Sequence, residues 1–231
     1  MKNREHYLVL ADIFRYPEED FLANLEVCMK VLDQKYPDAA KELKRFSDYV
    51  SGSTPDRREE LYTKSFDVQP ICYLDLGYVI FGEDYKRGAF LLHMQEEQRI
   101  AGNDCGTDLP DHITNMLVLL SITEKEELML ELASSILIPG LKKMISEFSQ
   151  ARVDLKQQVL KKLHKVLIDD ELNSGNVYRN ALEALLIVVQ TDFPEDVVYQ
   201  QDSVEGHHIP SSESFFRKRS EIPLEPNFKL D

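Results

Sequence analysis

Tryptophan is missing from this 231-residue sequence, and glycine (9), proline (10) and cysteine (3) are all scarce. So few helix breakers, set among abundant Leu, Glu, Lys, Ala and Gln, exclude a collagen-like or low-complexity chain and leave the profile of a helical protein. Cys28, Cys72 and Cys105 are odd in number and form no CxxC pair, so neither a disulfide framework nor a cysteine zinc site is indicated, and a reducing compartment fits. Positive charge is short as well. The 27 Lys and Arg against 41 Asp and Glu give a formal net charge of -14, which argues against nucleic acid as a partner, because affinity for a polyanion rests on Lys and Arg neutralising phosphates. That charge keeps a protein soluble, and it suits a basic partner. No apolar run approaches the length of a bilayer span, the nearest being Ala184 to Val189. The opening MKNREHYLVLADIFRYPEEDF lacks the continuous apolar core of a secretory signal, so a soluble cytoplasmic protein with no direct membrane insertion is expected.

What is present is helical periodicity. With 43% hydrophobic residues, a chain of this length buries a substantial single core without staples. Apolar positions recur at helical spacing over Lys2 to Arg15, stopped by Pro17; over Phe21 to Leu32, ending before Pro37; and over Ala39 to Val50. Thr54 is a candidate N-cap with Pro55 at the first helical position. Between Asp67 and Gly82, Pro70 and Gly77 break the pattern, and a buried connection with one helical turn is expected. Glu83 to Ala101 reads as a helix with Tyr85, Ala89 and Leu92 on one side and Lys86 and Arg87 on another. Asp108 is the expected cap of the next helix, with Pro110 and Asp111 in its first turn and Ile113, Met116, Leu117 and Leu120 as its apolar stripe. Thr123 to Glu126 is a capping-box pattern, and the helix it opens is kinked or broken at Ile138-Pro139-Gly140 before Leu141, Met144 and Phe148 continue its face. Val153 to Leu167 reads as another amphipathic helix, Asn173 to Asn176 as a turn, and Val177 to Gln190 as the most apolar helix of all. From Glu195 to Asp231 the periodicity vanishes into Ser, Glu, Gln, Pro and His, the composition of a flexible tail. The expectation is an all-α, single globular helical bundle over 1–194 followed by a mobile C-terminal tail over 195–231.

The chemistry is densest from Tyr73 to Leu117, which holds five of the nine glycines. Asp104, Cys105, Asp108, Asp111 and His112 are metal-ligand types, but a helical metal pair needs ligands at i and i+3 or i+4 on one face, as in HExxH, and His112 has no second histidine near it, the nearest being His93 and His164. No oxyanion-loop pattern accompanies Cys105, and turn chemistry explains Gly102 to Gly106. There is no GxxxxGK[ST] phosphate loop and no dinucleotide fingerprint. No catalytic residue and no metal ligand is therefore assigned, and an enzyme is not expected. The charged residues Glu83, Asp84, Lys86 and Arg87 are read either as a solvated helix face or as groups that fix the flanking loops and recognise a peptide.

The run Gly82-Glu83-Asp84-Tyr85-Lys86-Arg87-Gly88, then Phe90-Leu91, Ala101 to Gly106, and Leu109-Pro110-Asp111-His112-Ile113, with Glu131-Leu132 and Leu137-Ile138-Pro139 beyond, resembles the NarJ branch of the TorD-like chaperones. The match extends over about Tyr73 to Leu141. Such chaperones are dedicated assembly factors for molybdenum oxidoreductases, and the resemblance implies a TorD-like helical fold outside the mature enzyme. It implies a partner, the amino-terminal segment of a molybdoenzyme catalytic subunit of nitrate reductase or nitrite oxidoreductase type, held competent while the molybdenum cofactor is inserted. That cofactor belongs to the client, and none is expected to be bound stably here. The superfamily's Pro-Asp-His element lies at the peptide-binding surface, so the role is carried onto Pro110, Asp111 and His112. Tyr85, Lys86, Arg87, Asp104 and Asp108 complete the expected peptide site. Asp108 stands where the branch usually has Glu, which keeps the charge. A monomer and a dimer are both compatible with the pattern. Two other classes stand beside this one: a small metal-dependent hydrolase using Asp104, Asp108, Asp111 and His112, and a generic helical adaptor.

Overall fold

The computed structural model describes residues 4–149 and 177–194. Among them the architecture is all-α, with no strand and a single isolated antiparallel bridge between Asp75 and His112. No described helix is long and apolar enough to cross a membrane. The expected helix Val153–Leu167, the turn at Asn173–Asn176 and the tail from Glu195 lie outside the described residues.

Helices α1 (His6–Asp12), α2 (Phe21–Lys35) and α3 (Pro37–Ser51) pack in sequence, each turning most of its apolar stripe inward, although Leu8 of α1, expected on the inner face with Tyr7, Leu10 and Ala11, is exposed. Leu25, Cys28 and Leu32 of α2 and Leu43, Phe46 and Val50 of α3 are buried. Pro37 opens α3 because its missing N–H falls where a helix has no intrahelical partner anyway. The same logic starts α4 (Pro55–Tyr62), where the Thr54 hydroxyl accepts from the Arg57 N–H at 3.4 Å. Helix α4 runs into a π-helical turn, Thr63–Asp67, and the irregular connection then holds one short helix, α5 (Leu76–Phe81). Beyond it come α6 (Tyr85–Ala101), α7 (Ile113–Ile122), α8 (Glu126–Glu131), a second π-helical turn over Leu132–Leu137, α9 (Ile138–Glu147) and α10 (Val177–Asp192).

Of the kink or break expected at Ile138-Pro139-Gly140, the break does not occur: Pro139 removes one N–H and crowds the preceding turn, and the chain widens into the π turn and continues as α9. The first helix is also shorter than Lys2 to Arg15, spanning His6–Asp12.

The interior is organised around Tyr178 of α10, whose ring lies 4.8 Å from Phe46 and 4.6 Å from Phe66, with Phe66 in turn 6.0 Å from Phe148. Helix α10 packs on α3 and α9, and α7 packs on α1. Seven of the ten residues of α7 are buried, Ile113 to Leu117 among them, so α7 is more completely enclosed than α10.

Candidate functional site

The central stretch folds into one corner. Leu76 donates its backbone N–H to the Asp111 carbonyl at 3.0 Å, and Ile113 donates to the Leu74 carbonyl at 2.9 Å, so the segment before α5 is stitched to the segment before α7. Asp111 reaches across the same seam: its Oδ2 accepts the Gly77 N–H at 3.0 Å. Asp75, the residue at the N-cap position of α5, makes no side-chain cap of its own, so the cap of this helix comes from 34 residues away. Gly77 is required by that approach, since a Cβ there would stand 2.5 Å from Asp111 Oδ2 and 2.8 Å from Phe90 Cδ1.

The loop that brings Asp111 there is built from polar side chains. Gly102 ends α6 in the left-handed conformation, φ 75°. Asp104 Oδ1 accepts from the Gly106 N–H at 3.0 Å, an Asx turn. His112 donates its N–H to the Leu109 carbonyl at 3.0 Å, closing a β-turn with Pro110 at its second position, which suits proline's fixed φ. Buried Gln98 donates to the carbonyls of Pro110 and Asn115, each at 3.0 Å, and accepts from Asn103 at 2.8 Å, while Asn115 donates to the Leu109 carbonyl at 3.0 Å. This turn corrects the expected start of α7. Asp108 is not its cap and Pro110 is not in its first turn; the helix begins at Ile113, and His112 caps it, Nδ1 accepting from the Thr114 N–H at 3.4 Å and lying 2.8 Å from the Thr114 hydroxyl.

The eight expected site residues therefore separate. Tyr85 is 84% exposed, and Lys86 is exposed beside it. Arg87 turns the other way: its guanidinium lies over the Tyr78 ring, 5.1 Å from the centroid, and 3.8 Å from Asp75 Oδ2. Asp104 and Asp108 are at the surface, and Asp108 Oδ2 is 3.9 Å from His112 Nδ1. Pro110 is half-buried in its turn. Asp111 is wholly buried, so its carboxyl positions α5 rather than facing solvent, and its Oδ1 has no hydrogen-bond partner. Burial, with Asp75 nearby, pushes the Asp111 carboxyl up to about 6 against the opposing pull of Arg87 and the Gly77 N–H. Burial likewise lowers the His112 imidazole below its ordinary value, although Asp108 and Asp75 work the other way.

Sequence reasoning passed over Asp75, Gln98 and Asn115, and treated Gly77 as an interruption. A glycine inside an apolar run is a known sign of close backbone approach, and here it was the available signal. Nothing local marks Gln98, because its partners lie in the following loop. On α6 the buried stripe is Phe90, Met94 and Gln98, and the Tyr85, Ala89, Leu92 side faces outward. Among the described residues no group of three or more His, Cys, Asp or Glu is gathered as a metal-ligand set. No family model matches the chain, and no curated protein matches it.

Proposed function

We propose that this chain is a maturation chaperone of the NarJ type, acting in the cytoplasm on the amino-terminal segment of a molybdenum oxidoreductase catalytic subunit and supporting cofactor insertion and assembly. The observation that carries the reading is the convergence of the resembling motifs. Asp75, Gly77 and Arg87 precede Asp111 and His112 by 24 to 37 residues, yet one bridge, one remote cap and the approach of Arg87 to Asp75 bring them to a single corner. Turns and caps alone do not call for a buried acid with one oxygen capping a helix and the other left without a hydrogen bond. About four aliphatic anchors at about 2 kcal/mol each, less about 2 to 5 kcal/mol for ordering a peptide, leave about 3 to 6 kcal/mol. That corresponds to millimolar to tens-of-micromolar binding, the weak, reversible capture a holding factor needs.

The test is affinity purification from the native cell with identification of bound chains, joined to calorimetry with the client's amino-terminal peptide. A molybdoenzyme catalytic subunit as the dominant co-purifying chain, with saturable peptide binding, is the expected result. Absence of both overturns the assignment. The hydrolase reading draws no ligand set from this geometry, since Asp104 is held in its own turn and Asp111 faces Gly77. Stoichiometric zinc, iron or manganese in the purified protein would revive it.

A further inference from the structure

Helix α6 turns Phe90, Met94 and Gln98 into the core and leaves its opposite side open. On that side Tyr85 is 84% exposed, Leu92 59% and Ile100 52%, and Ala89 is exposed between the first two. Tyr85, Leu92 and Arg99 follow one another at intervals of seven residues, so they stand on one line down the helix. Gly88 lies beside that line in the middle of regular helix, where glycine weakens the structure. A Cβ added there would meet nothing within 4 Å. The chain's own packing therefore gives no reason for this glycine, whereas a second backbone approaching from outside would.

Charge singles out the same face. The whole chain carries a formal -14, yet α6 sets three cations, Lys86, Arg87 and Arg99, against only Glu96 and Glu97. Two copies of the protein repel each other least where α6 meets α6. Direction matters as well. Two α6 helices side by side and parallel would bring Lys86 against Lys86 and Arg99 against Arg99. Antiparallel and centred on Leu92, they bring Tyr85 of each copy opposite Arg99 of the other, Gly88 opposite Glu96, and Ala89 opposite Gln95. Each small residue then receives a long one. Arg99 is held in place for this by Glu96, which accepts from its Nε at 2.8 Å and from a terminal nitrogen at 2.7 Å.

We infer that two copies of this chain associate through α6, antiparallel about a two-fold axis at Leu92, with the Tyr85 ring of each copy against the Arg99 guanidinium of the other. A two-fold axis requires a surface complementary to itself, and this face has that property. A guanidinium on an aromatic face is attracted by the ring quadrupole and can keep its carboxylate partner at the same time. The contact is small. A helix of 17 residues is about 25 Å long, and two such faces bury less than the roughly 1,200 Å² at which stable interfaces begin. The dimer is accordingly weak and dependent on concentration. Association of this kind is independent of the chaperone reading, and it covers Tyr85 and Lys86, both expected at the peptide site.

The experiment is sedimentation of the full chain between about 5 and 500 µM, the range in which so small a contact populates a dimer. Tyr85→Lys sets an ammonium against Arg99 of the other copy, and Arg99→Glu removes the guanidinium; each is expected to weaken dimerisation about tenfold. The double variant Tyr85→Lys/Arg99→Glu recovers most of that loss, because the new ammonium then faces the new carboxylate across the axis. Within one chain the two positions are about 21 Å apart along the helix, so recovery reports a contact between copies. A second measurement needs no weakened variant. On a Cys105→Ser background, which removes the partly exposed thiol, Leu92→Cys forms a disulfide-linked dimer under mild oxidation about tenfold faster or more than Val27→Cys, a position 47% exposed on α2. A monomer at every concentration, a double variant no stronger than the single ones, or equal rates for the two cysteines would overturn the assignment. The client purification reads the chaperone role separately from all three.

Discussion

Asp111 shows how much a single side chain can be asked to do. It is enclosed completely, gives one oxygen to Gly77, and keeps the other without a partner. Because its pKa in the fold is raised to about 6 from 3.8, the native state holds this proton more firmly than the unfolded chain. The stabilisation it gives is therefore full below about pH 4 and is lost as pH rises through about 6. Ionising it in place costs about 2 to 3 kcal/mol relative to water. Asp111→Asn retains an acceptor for the Gly77 N–H and cannot ionise. Chemical denaturation at a series of pH values should show the variant gaining on the parent by about 2 kcal/mol between about pH 4 and pH 7. A pH-independent difference would mean that the carboxyl titrates as it does in water. His112 works in the opposite sense, since a lowered imidazole pKa removes stability as pH falls through its unfolded value of about 6.5. Any response of peptide binding to this imidazole belongs below about pH 6.5.

At the scale of the element, the long helices were legible because proline and apolar spacing agree. Pro37, Pro55 and the stripe Leu25, Cys28, Leu32 say where α2, α3 and α4 begin and which way they face. What could not be read was whatever depends on a distant partner. Asp108 looked like a cap because it precedes an apolar run, but the β-turn over Leu109 to His112 wins, since Pro110 fits that turn and Gln98 holds its carbonyl. The apolar side of α6 that carries Tyr85 and Leu92 looks like any inward stripe until Phe90 and Met94 are seen to take the core. The seam of α5 supplies the sharpest test at this scale. Gly77→Ala puts a methyl group against the Asp111 carboxylate and the Phe90 ring, so it should destabilise by about 1 to 3 kcal/mol. The expected signature is faster amide exchange across Leu76–Phe81, with α2 and α3 little changed. Loss confined to α2 and α3, with α5 still protected, would contradict the close approach.

Across the whole molecule, the described ends of the chain are tied by a polar clasp that no motif announces. Asp192, the last residue of α10, accepts from His6 Nε2 at 2.7 Å, from the Tyr7 hydroxyl at 2.9 Å and from the Tyr36 hydroxyl at 2.7 Å, while Lys35 Nζ stands 3.1 Å from His6 Nδ1. Burial alone would raise the Asp192 carboxyl, yet the bonds from His6, Tyr36 and Tyr7 outweigh it and bring the pKa below its ordinary value. This contribution is present above about pH 4 and fades as pH falls through the lower native value. Asp192→Ala strands three donors and should cost about 2 to 4 kcal/mol at neutral pH. A double-mutant cycle with Tyr36→Phe should return a coupling of about 1 kcal/mol or more, and a null coupling would show that the clasp is incidental.

Helix α5 has six residues and, at its start, no side-chain cap of its own. Its leading N–H group is met by Asp111, and its trailing carbonyls, on Val79 and Ile80, accept from Lys143 Nζ at 3.2 and 3.3 Å. So short a segment has almost no helicity alone in water, and both of its end groups arrive from elements that follow it in the chain. During folding it must therefore be a latecomer, taking shape only once the turn before α7 and the helix bearing Lys143 have closed on it. In the emerging protein the corner stays unfinished until the chain has been made well past Lys143.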